Sequence, residues 1–298
     1  MNILYLEISN CEVSIIDENA FDNLKYLQNL NLDNNLLTEL PKLMDEMQKL
    51  LAFTARNNKI SKVNPDLFIG SAVESVDFSH NLLTDIEFLK YTKSRLLSLE
   101  LSHNLLEHVI LVDFSKLHNV GLAHNKLQGP NSVVLTNLRH LGDVDLSENY
   151  ISTLDAINLT ETHYIRHLYL QKNRLRSDVA LNFTEYTYLQ VLNLDDNEVT
   201  TLPILPLDIH TLSLKNNIID VSKLNFPQHG VNNVSLAGNR LQTLNKNAFA
   251  NLKSICIVNL LNNDLKFLDH QSHECKTKLY FDKKTTLHIN EKYGKVKL

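Results

Sequence analysis

The stretch Leu96–Leu106, LLSLELSHNLL, places leucine at positions 96, 99, 101 and 106 and asparagine at 104. Around Leu99 and Leu101 apolar and polar residues alternate, which predicts a short strand with these two leucines facing a core. Glu100 then faces solvent. Asn104 follows where the chain leaves the strand, and a short amide there can bond the peptide groups of a turn.

The same spacing recurs through most of the chain, at steps of 20–24 residues. It is the leucine-rich repeat pattern L-x-x-L-x-L-x-x-N-x-L, in which Cys can replace Asn, as at Cys11. Stacked turns can bury leucines that a single turn leaves exposed. We therefore predict twelve copies with a buried asparagine ladder formed by Asn35, Asn58, Asn81, Asn104, Asn125, Asn149, Asn173, Asn197, Asn217, Asn239 and Asn263.

The predicted fold is an α/β solenoid, a leucine-rich repeat horseshoe of about 12 repeats with a parallel concave sheet and a mostly irregular convex side. We place the solenoid at residues 1–268 and a degenerate cap or tail at 269–298. The longer connections within 126–200 allow short helices, and residues 279–282 fit one closing strand.

Composition excludes several classes of function. The net charge of −5 is too mild for a dedicated nucleic-acid surface. There is no run of 18 apolar residues, so no membrane span is predicted. Neither a recognisable signal peptide nor a capping segment precedes the first strand. We therefore expect an incomplete N-terminus, with a cytoplasmic protein as the alternative.

The three cysteines and the glycosylation sequons bear on the compartment. We expect Cys11 to be a reduced, buried thiol. Cys256 and Cys275 flank the last full repeat, where a disulfide is possible but two cysteines cannot establish it. Asn158 and Asn182 begin sequons on convex segments, where a glycan would fit. A third sequon begins at Asn233, within a predicted strand. Sequons in an asparagine-rich chain are weak evidence for secretion.

The outward strand positions form the predicted binding face. An acidic stretch followed by an aromatic pair could receive a basic protein partner. The alternative is a solvated face that keeps the solenoid soluble. The residues assigned to this face are Arg56, Asp77, Glu100, Asp143, Asp145, His167, Tyr169, Asn193 and Asp195.

No catalytic, cofactor-binding or metal-binding residues are predicted. The paired carboxylates have neither a pocket nor a nucleophile beside them in the pattern, so we do not expect an enzyme. His80, His103 and His124 precede three successive ladder asparagines, and a three-histidine metal site is one interpretation. The other, which we favour, is a recurring half-exposed residue, because no metal-ligand spacing accompanies it.

The phrases NAFDNLKYLQNLNLDNN and NAFANLKSICIVNLLNN resemble the extracellular leucine-rich repeat class, which includes Toll-type receptor ectodomains. Irregular turns such as NKLQGPNSVVLTNLRHLGDVDLSENYISTL resemble the repeat domain of the mosquito leucine-rich immune proteins. The resemblance implies a secreted, non-enzymatic innate-immune factor that binds complement-like or pathogen-derived proteins. The chain lacks the cysteine-rich and coiled-coil segments of that family, so its pairing is not carried over. The alternatives are an ectodomain fragment of a Toll-like or adhesion receptor, and an intracellular scaffold.

Overall fold

The computed structural model describes residues 3–42, 47–220, 224, 226, 230–244, 248, 249, 257–270 and 278–289, with the backbone alone for 267–270 and 286–289. The chain divides into two compact units. Unit 1 comprises Met1–Tyr150 and Asp155–Tyr164, and unit 2 comprises Ile151–Leu154 and Ile165–Leu298.

The main sheet of unit 1 contains seven three-residue strands among the described residues. Each pairs in parallel with the next, and the middle residues align in register, as Val76 does with Leu99. The strands are β1 (Tyr5–Glu7), β2 (Asn29–Asn31), β4 (Ala52–Thr54), β6 (Ser75–Asp77), β7 (Ser98–Glu100), β9 (Asn119–Gly121) and β11 (Asp143–Asp145).

The described part of unit 2 repeats this arrangement with six strands in parallel register. The middle residues of the first five, such as Leu168, Leu192 and Leu212, are buried, and Leu279 of the sixth is half-buried. The strands are β13 (His167–Tyr169), β14 (Val191–Asn193), β15 (Thr211–Ser213), β16 (Asn233–Ser235), β17 (Ile257–Asn259) and β19 (Lys278–Tyr280). The predicted parallel-sheet solenoid is thereby confirmed.

Shorter elements lie in the connections between these strands. Two strands pair in unit 1, β3 (Glu39–Leu40) with β5 (Lys62–Val63). Three more pair in the same unit: β8 (Val109–Val112), β10 (Val133–Thr136) and β12 (Ile157–Asn158). In unit 2, β18 (Phe267–His270) pairs with β20 (Thr286–Ile289). The 3₁₀ helices of the described residues are η1 (Glu87–Leu89) and η2 (Leu154–Ala156).

Most of the longer connections within 126–200, where short helices were expected, are extended instead, and the described helix of that range is the 3₁₀ helix η2. The structure has β10 and β12 there, together with the single bridges Arg176–Glu198 and Asn182–Ile204. The cause is local, because β-branched residues such as Val133 and Val134 favour strands. Pairing with the neighbouring turn also satisfies the peptide groups of these segments. The predicted boundary at residue 268 stays a prediction, since much of 269–298 lies outside the described residues.

The predicted ladder asparagines hold consecutive turns together. The Nδ2 of Asn104 donates to the carbonyl of Leu101 in its own turn (3.0 Å) and to that of Phe78 in the preceding turn (2.9 Å). Its Oδ1 accepts the N–H of Leu83 (2.9 Å). In the other ten the Oδ1 likewise accepts an N–H of the preceding turn; Asn58 and Asn263 are half-buried and the rest are buried. One side chain thus satisfies peptide groups that the turn leaves unpaired.

The expectation that Cys11 is buried is wrong, because its side chain is exposed. Its turn contributes β1, the end strand of the sheet, which pairs with β2 alone among the described strands. Asn35 of the next turn still bonds the Cys11 N–H through its Oδ1, at 3.1 Å. The thiol itself contacts the Ser9 carbonyl, with 3.1 Å between sulfur and oxygen. Cys256 and Cys275 lie outside the described residues, so their disulfide is still untested.

The closing strand expected at 279–282 is present as β19, but it begins one residue earlier, at Lys278, and ends at Tyr280. Asp282 lies three residues after Leu279, the middle residue of this strand, which is the position of Asp33 and Asp195 in their turns and not that of a ladder asparagine. Its two carboxylate oxygens accept the N–H groups of Asn262 (3.2 Å) and Asn263 (3.1 Å). The last described turn of unit 2 therefore meets its neighbour through a carboxylate.

Large aromatic side chains replace leucine in the core around β4 and β6. Phe53 packs against Phe68 and Phe78, with ring centroids 5.5 and 5.4 Å apart, and Phe78 lies 4.9 Å from Phe88. All four rings are buried. Ala55, at an inward position next to Phe53, is small enough to leave room for this cluster. The small Ala55 thus offsets side-chain volume that the large Phe53 adds to the core.

We predict that Asn104→Leu lowers the free energy of unfolding by about 1–3 kcal/mol, because buried peptide groups lose their partners. Thermal or urea unfolding followed by circular dichroism measures the effect. Asn29→Leu, at an outward position of β2, is the matched control and should change stability little. Equal stability of the two variants would show that the buried amide contributes nothing beyond its volume.

Candidate functional site

The outward residues of the main-sheet strands form what we call the sheet face, and the predicted acidic residues lie there in unit 1. In the register of unit 1, Asp77, Glu100 and Asp145 occupy the same strand-final position, with Gly121 between the last two. We call these three carboxylates the acidic row. Neighbouring strands are about 4.8 Å apart, so the row spans roughly 15 Å.

Each carboxylate of the acidic row also supports its own turn. Asp77 accepts the N–H of Ser79 (2.8 Å), Glu100 that of Ser102 (2.9 Å) and Asp145 that of Ser147 (2.9 Å). One oxygen of each is thereby used inside the protein. The sequence prediction assigned these acids to binding alone and missed this second role, although the recurring spacing of acid and serine was visible.

Arg56 and Gly121 modify the acidic row. The Nε of Arg56 lies 3.6 Å from Oδ2 of Asp77, and both side chains are partly solvated. Exposed pairs of this kind contribute little to stability, but they reduce the local negative charge. Gly121 leaves the space above its Cα to the Glu100 carboxylate, which a Cβ there would overlap. For a basic partner, Arg56 therefore competes for Asp77 more than for Glu100 or Asp145.

Asp143 is half-buried at the first outward position of β11. The Asn119 amide donates to its Oδ2 at 3.0 Å when the amide is oriented to satisfy its neighbours. Asp143 and Asp145 thus point to the same side of one strand, two residues apart. Together they double the carboxylate density at this end of the row.

In unit 2 the predicted site residues separate by role. His167 and Tyr169 are half-buried on β13, with ring centroids 6.4 Å apart. Asn193 accepts the N–H of Asp195 (3.0 Å), and Asp195 in turn accepts the N–H of Lys215 (2.7 Å) and the Ser213 hydroxyl. Burial raises the pKa of the Asp195 carboxyl. Asn193 and Asp195 therefore link β14 to β15.

Asp33 does in unit 1 what Asp195 does in unit 2. It accepts the Thr54 hydroxyl (2.6 Å) and the N–H of Arg56 (2.7 Å). The shared sequence is an outward Asn, an inward Leu and then Asp, at 31–33 and at 193–195. An internally satisfied Asp at this place is a structural element. Its recurrence in two repeats is the sequence signal that could have identified it.

The residue before each ladder asparagine has a left-handed backbone, which we call the turn row. Its φ values lie between +50° and +67° in the eleven turns with a ladder asparagine and at Asn10, which precedes Cys11. Asn, Asp, His and Gly tolerate this conformation better than other residues. The members are Asn10, Asn34, Asn57, His80, His103, His124, Glu148, Lys172, Asp196, Asn216, Gly238 and Asn262. Histidine in this row is thus explained by backbone geometry.

The three histidines of the turn row stack as rings. The centroids of His80 and His103 are 4.0 Å apart with 11° between planes, and those of His103 and His124 are 4.3 Å apart with 25°. Ring-nitrogen lone pairs lie in the ring planes, so nearly parallel rings cannot direct them at one ion. Among the described residues no group of three His, Cys, Asp or Glu side chains is arranged to hold a metal.

Comparisons with known proteins agree with this architecture. No family model matches the chain. An uncharacterized leucine-rich repeat-containing protein of Schizosaccharomyces pombe is 32% identical over 93 residues, which is 31% of this chain and only 15% of that protein. None of the described helices is long and apolar enough to cross a membrane.

Solved structures resemble much more of the chain. The leucine-rich repeat domain of APL1B superposes with a TM-score of 0.70 at 20% identity, covering 99% of this chain and 91% of that one. A leucine-rich repeat protein of Leptospira interrogans gives 0.71 at 22% identity, covering 94% and 72%. Toll in the Toll–Spatzle complex of Drosophila gives 0.71 at 20% identity, covering 96% and 41%.

These observations define a leucine-rich repeat fold. In structure it is similar to the leucine-rich repeat domains of mosquito APL1. At about 20% identity the likeness shows the fold alone.

We predict that acidification destabilises the protein partly through His103. Burial, and then the charges of His80 and His124, lower its pKa below the ordinary 6.5, while Glu148 opposes them. A lowered pKa means that the unfolded chain binds more protons, so this contribution is present above about pH 6.5 and is lost as pH falls from there through the lowered pKa of the folded state. Between about pH 7.5 and pH 5.5, the unfolding midpoint should fall less for His103→Asn than for the wild type, because the variant lacks the titrating ring. Asn is chosen because it also tolerates the left-handed backbone.

His163→Asn, at an exposed histidine outside the stack, is the control and should follow the wild type. If His103→Asn lost as much stability between the two pH values as the wild type, the stacked rings would not be a source of the pH dependence.

Proposed function

We propose that the protein is a non-enzymatic protein-binding module that uses the sheet face of unit 1 to bind a basic partner. The single observation that carries this proposal is the acidic row, three carboxylates held in register on a half-exposed surface. Asp77, Glu100 and Asp145 are half-buried, so part of each side chain faces solvent. Opposite charge steers association and selects partners more than it adds raw affinity.

The inward positions support the choice of surface. Val76, Leu99 and Val144 are buried and cannot contact a partner. The outward residues on either side of them are free to vary without loss of the core. Asp143 extends the acidic row toward one end, and Arg56 screens the other. A partner with two or three lysine or arginine side chains at the spacing of the strands fits this layout.

We further propose a secreted role in innate-immune recognition, with complement-like or pathogen-derived proteins as the partner class. The likeness to APL1B and to Toll supports this, because the structure of Toll is a complex with Spatzle in development and innate immunity. A receptor ectodomain fragment is the second candidate, since the chain spans 41% of the Toll chain it matches. Both candidates require the secretory route, which an intracellular scaffold would not use.

We predict that the triple variant Asp77→Asn, Glu100→Gln, Asp145→Asn captures about one tenth, or less, of the amount of a basic partner that the wild type captures. The amide oxygens can still accept the serine N–H groups, so the turns are preserved. The measurement is quantitative mass spectrometry of proteins captured on immobilised full chain from extracellular fluid of the source organism.

The matched control removes three exposed carboxylates outside the sheet face, by Asp22→Asn, Glu107→Gln and Asp155→Asn. Its net-charge change equals that of the test variant, so it should capture the same proteins as the wild type. If test and control variants captured equal amounts, the binding surface would lie elsewhere on the molecule.

We predict glycans at Asn158 and Asn182 in protein taken from the source organism. In both sequons the threonine hydroxyl and N–H donate to the asparagine Oδ1, and the two threonines are exposed. Intact mass before and after peptide-N-glycosidase, with peptide mapping, measures occupancy. An unmodified protein recovered from inside cells would instead favour the scaffold alternative.

A further inference from the structure

The secondary sheet of unit 1 has an open edge at β8. The connections of the neighbouring turns contribute the paired strands β3 and β5 on one side, and β8, β10 and β12 on the other. The turn between these two groups has the 3₁₀ helix η1 where a strand would complete the sheet. β8 is therefore an edge strand whose second neighbour is missing.

The hydrogen bonds of β8 show which peptide groups are left at this edge. The N–H groups of Val109 and Asp113 donate to β10 and its flanking residue, at 2.8 and 3.2 Å. In a parallel ladder alternate residues direct their peptide groups to opposite sides. Ile110 and Val112 thus direct theirs away from β10, and none of the hydrogen bonds described outside the strand ladders uses them. Such an edge can pair with another chain.

A groove with an apolar floor runs along this edge, between η1 and β8. Its volume is about 400 Å³, within the range of known ligand pockets. The apolar lining comes from Ile86, Leu89, Ile110, Leu111 and Phe114. The side chain of Ile110 is 60% exposed although it is large and apolar. We call this the edge groove.

The charges of the edge groove are separated along its length. The Leu105 N–H donates to the Leu83 carbonyl (2.9 Å), which places Asp85 and Glu87 toward the start of β8. The Ser115 N–H donates to the Lys93 carbonyl (3.2 Å), which places Lys93 beside the end of β8. Lys90 is paired with Asp66 at 2.8 Å, so Lys93 is the cation that a ligand would meet.

We propose that the edge groove binds an extended segment of a partner protein, which adds to β8 as a parallel strand. The segment has a basic residue at its start, apolar residues in its middle and an acidic residue at its end. Ile110 and Val112 supply the backbone hydrogen bonds, while Asp85 with Glu87 and Lys93 fix the direction. Strand addition of this kind takes its affinity from the backbone and its specificity from alternate side chains. The site is separate from the acidic row.

The probe is a capped heptapeptide of the sequence Arg-Ser-Val-Thr-Val-Ser-Glu, titrated by fluorescence anisotropy against the full chain. We expect saturable binding that weakens about tenfold in Lys93→Glu. The same peptide ending in Lys should recover binding to that variant. Lys116→Glu, at an exposed lysine outside the groove, is the matched control and should bind like the wild type.

Peptide variants test the backbone contacts without altering the protein. N-methylation of the residues that face β8 should abolish binding, because the added methyl removes the N–H donor. The sequence reversal Glu-Ser-Val-Thr-Val-Ser-Arg should bind more weakly. The proposal is overturned if the wild-type chain shows no saturable binding at millimolar peptide. It is equally overturned if N-methylated or reversed peptides bind as tightly as the original, or if Lys93→Glu changes nothing.

Discussion

The structure depends on one hydrogen-bonding arrangement, the amide of a ladder asparagine that joins each turn to the one before it. A turn of about 23 residues cannot by itself provide hydrogen-bond partners for the buried peptide groups at the point where its strand ends. Asn104 solves this by donating to two carbonyls and accepting one N–H, across two turns. Its neighbour in sequence, His103, must then adopt a left-handed backbone. The burial of the leucines and the parallel register of the strands both require that this joint be satisfied.

The repeat also determines where charged residues can lie on the surface. Because the inward positions are fixed by packing, charge is confined to the sheet face, the turn row and the connections. Some of this charge is itself structural, as at Asp33 and Asp195, whose carboxylates bridge neighbouring strands. The acidic row combines both roles, with one oxygen for the turn and one toward solvent. A binding surface and a fold constraint can therefore share the same side chain.

The solenoid could be predicted from the sequence because its cause is periodic. Leu99, Leu101 and Asn104 recur at fixed offsets, and each offset corresponds to one contact. What could not be predicted is whatever depends on neighbours outside the repeat. Whether the side chain at Cys11 is buried depends on the packing of a turn on each side of it, and in the structure it is exposed. The strand β10 likewise depends on its pairing with β8 in the neighbouring turn. The candidate site was predicted only as a set of outward positions, since periodicity says which residues face solvent but not which carboxylates are already used.

Asp282 makes a different set of hydrogen bonds to the preceding turn from those of a ladder asparagine. A ladder asparagine such as Asn104 both donates to a carbonyl of the preceding turn and accepts an N–H from it. A carboxylate only accepts. Asp282 receives the two N–H groups of Asn262 and Asn263 but has no hydrogen to offer the carbonyls that an amide would bind. The contact at Asp282 therefore satisfies only peptide N–H groups of the preceding turn, whereas a carbonyl of that turn, that of Leu265, is bonded by the Thr285 hydroxyl instead (3.0 Å).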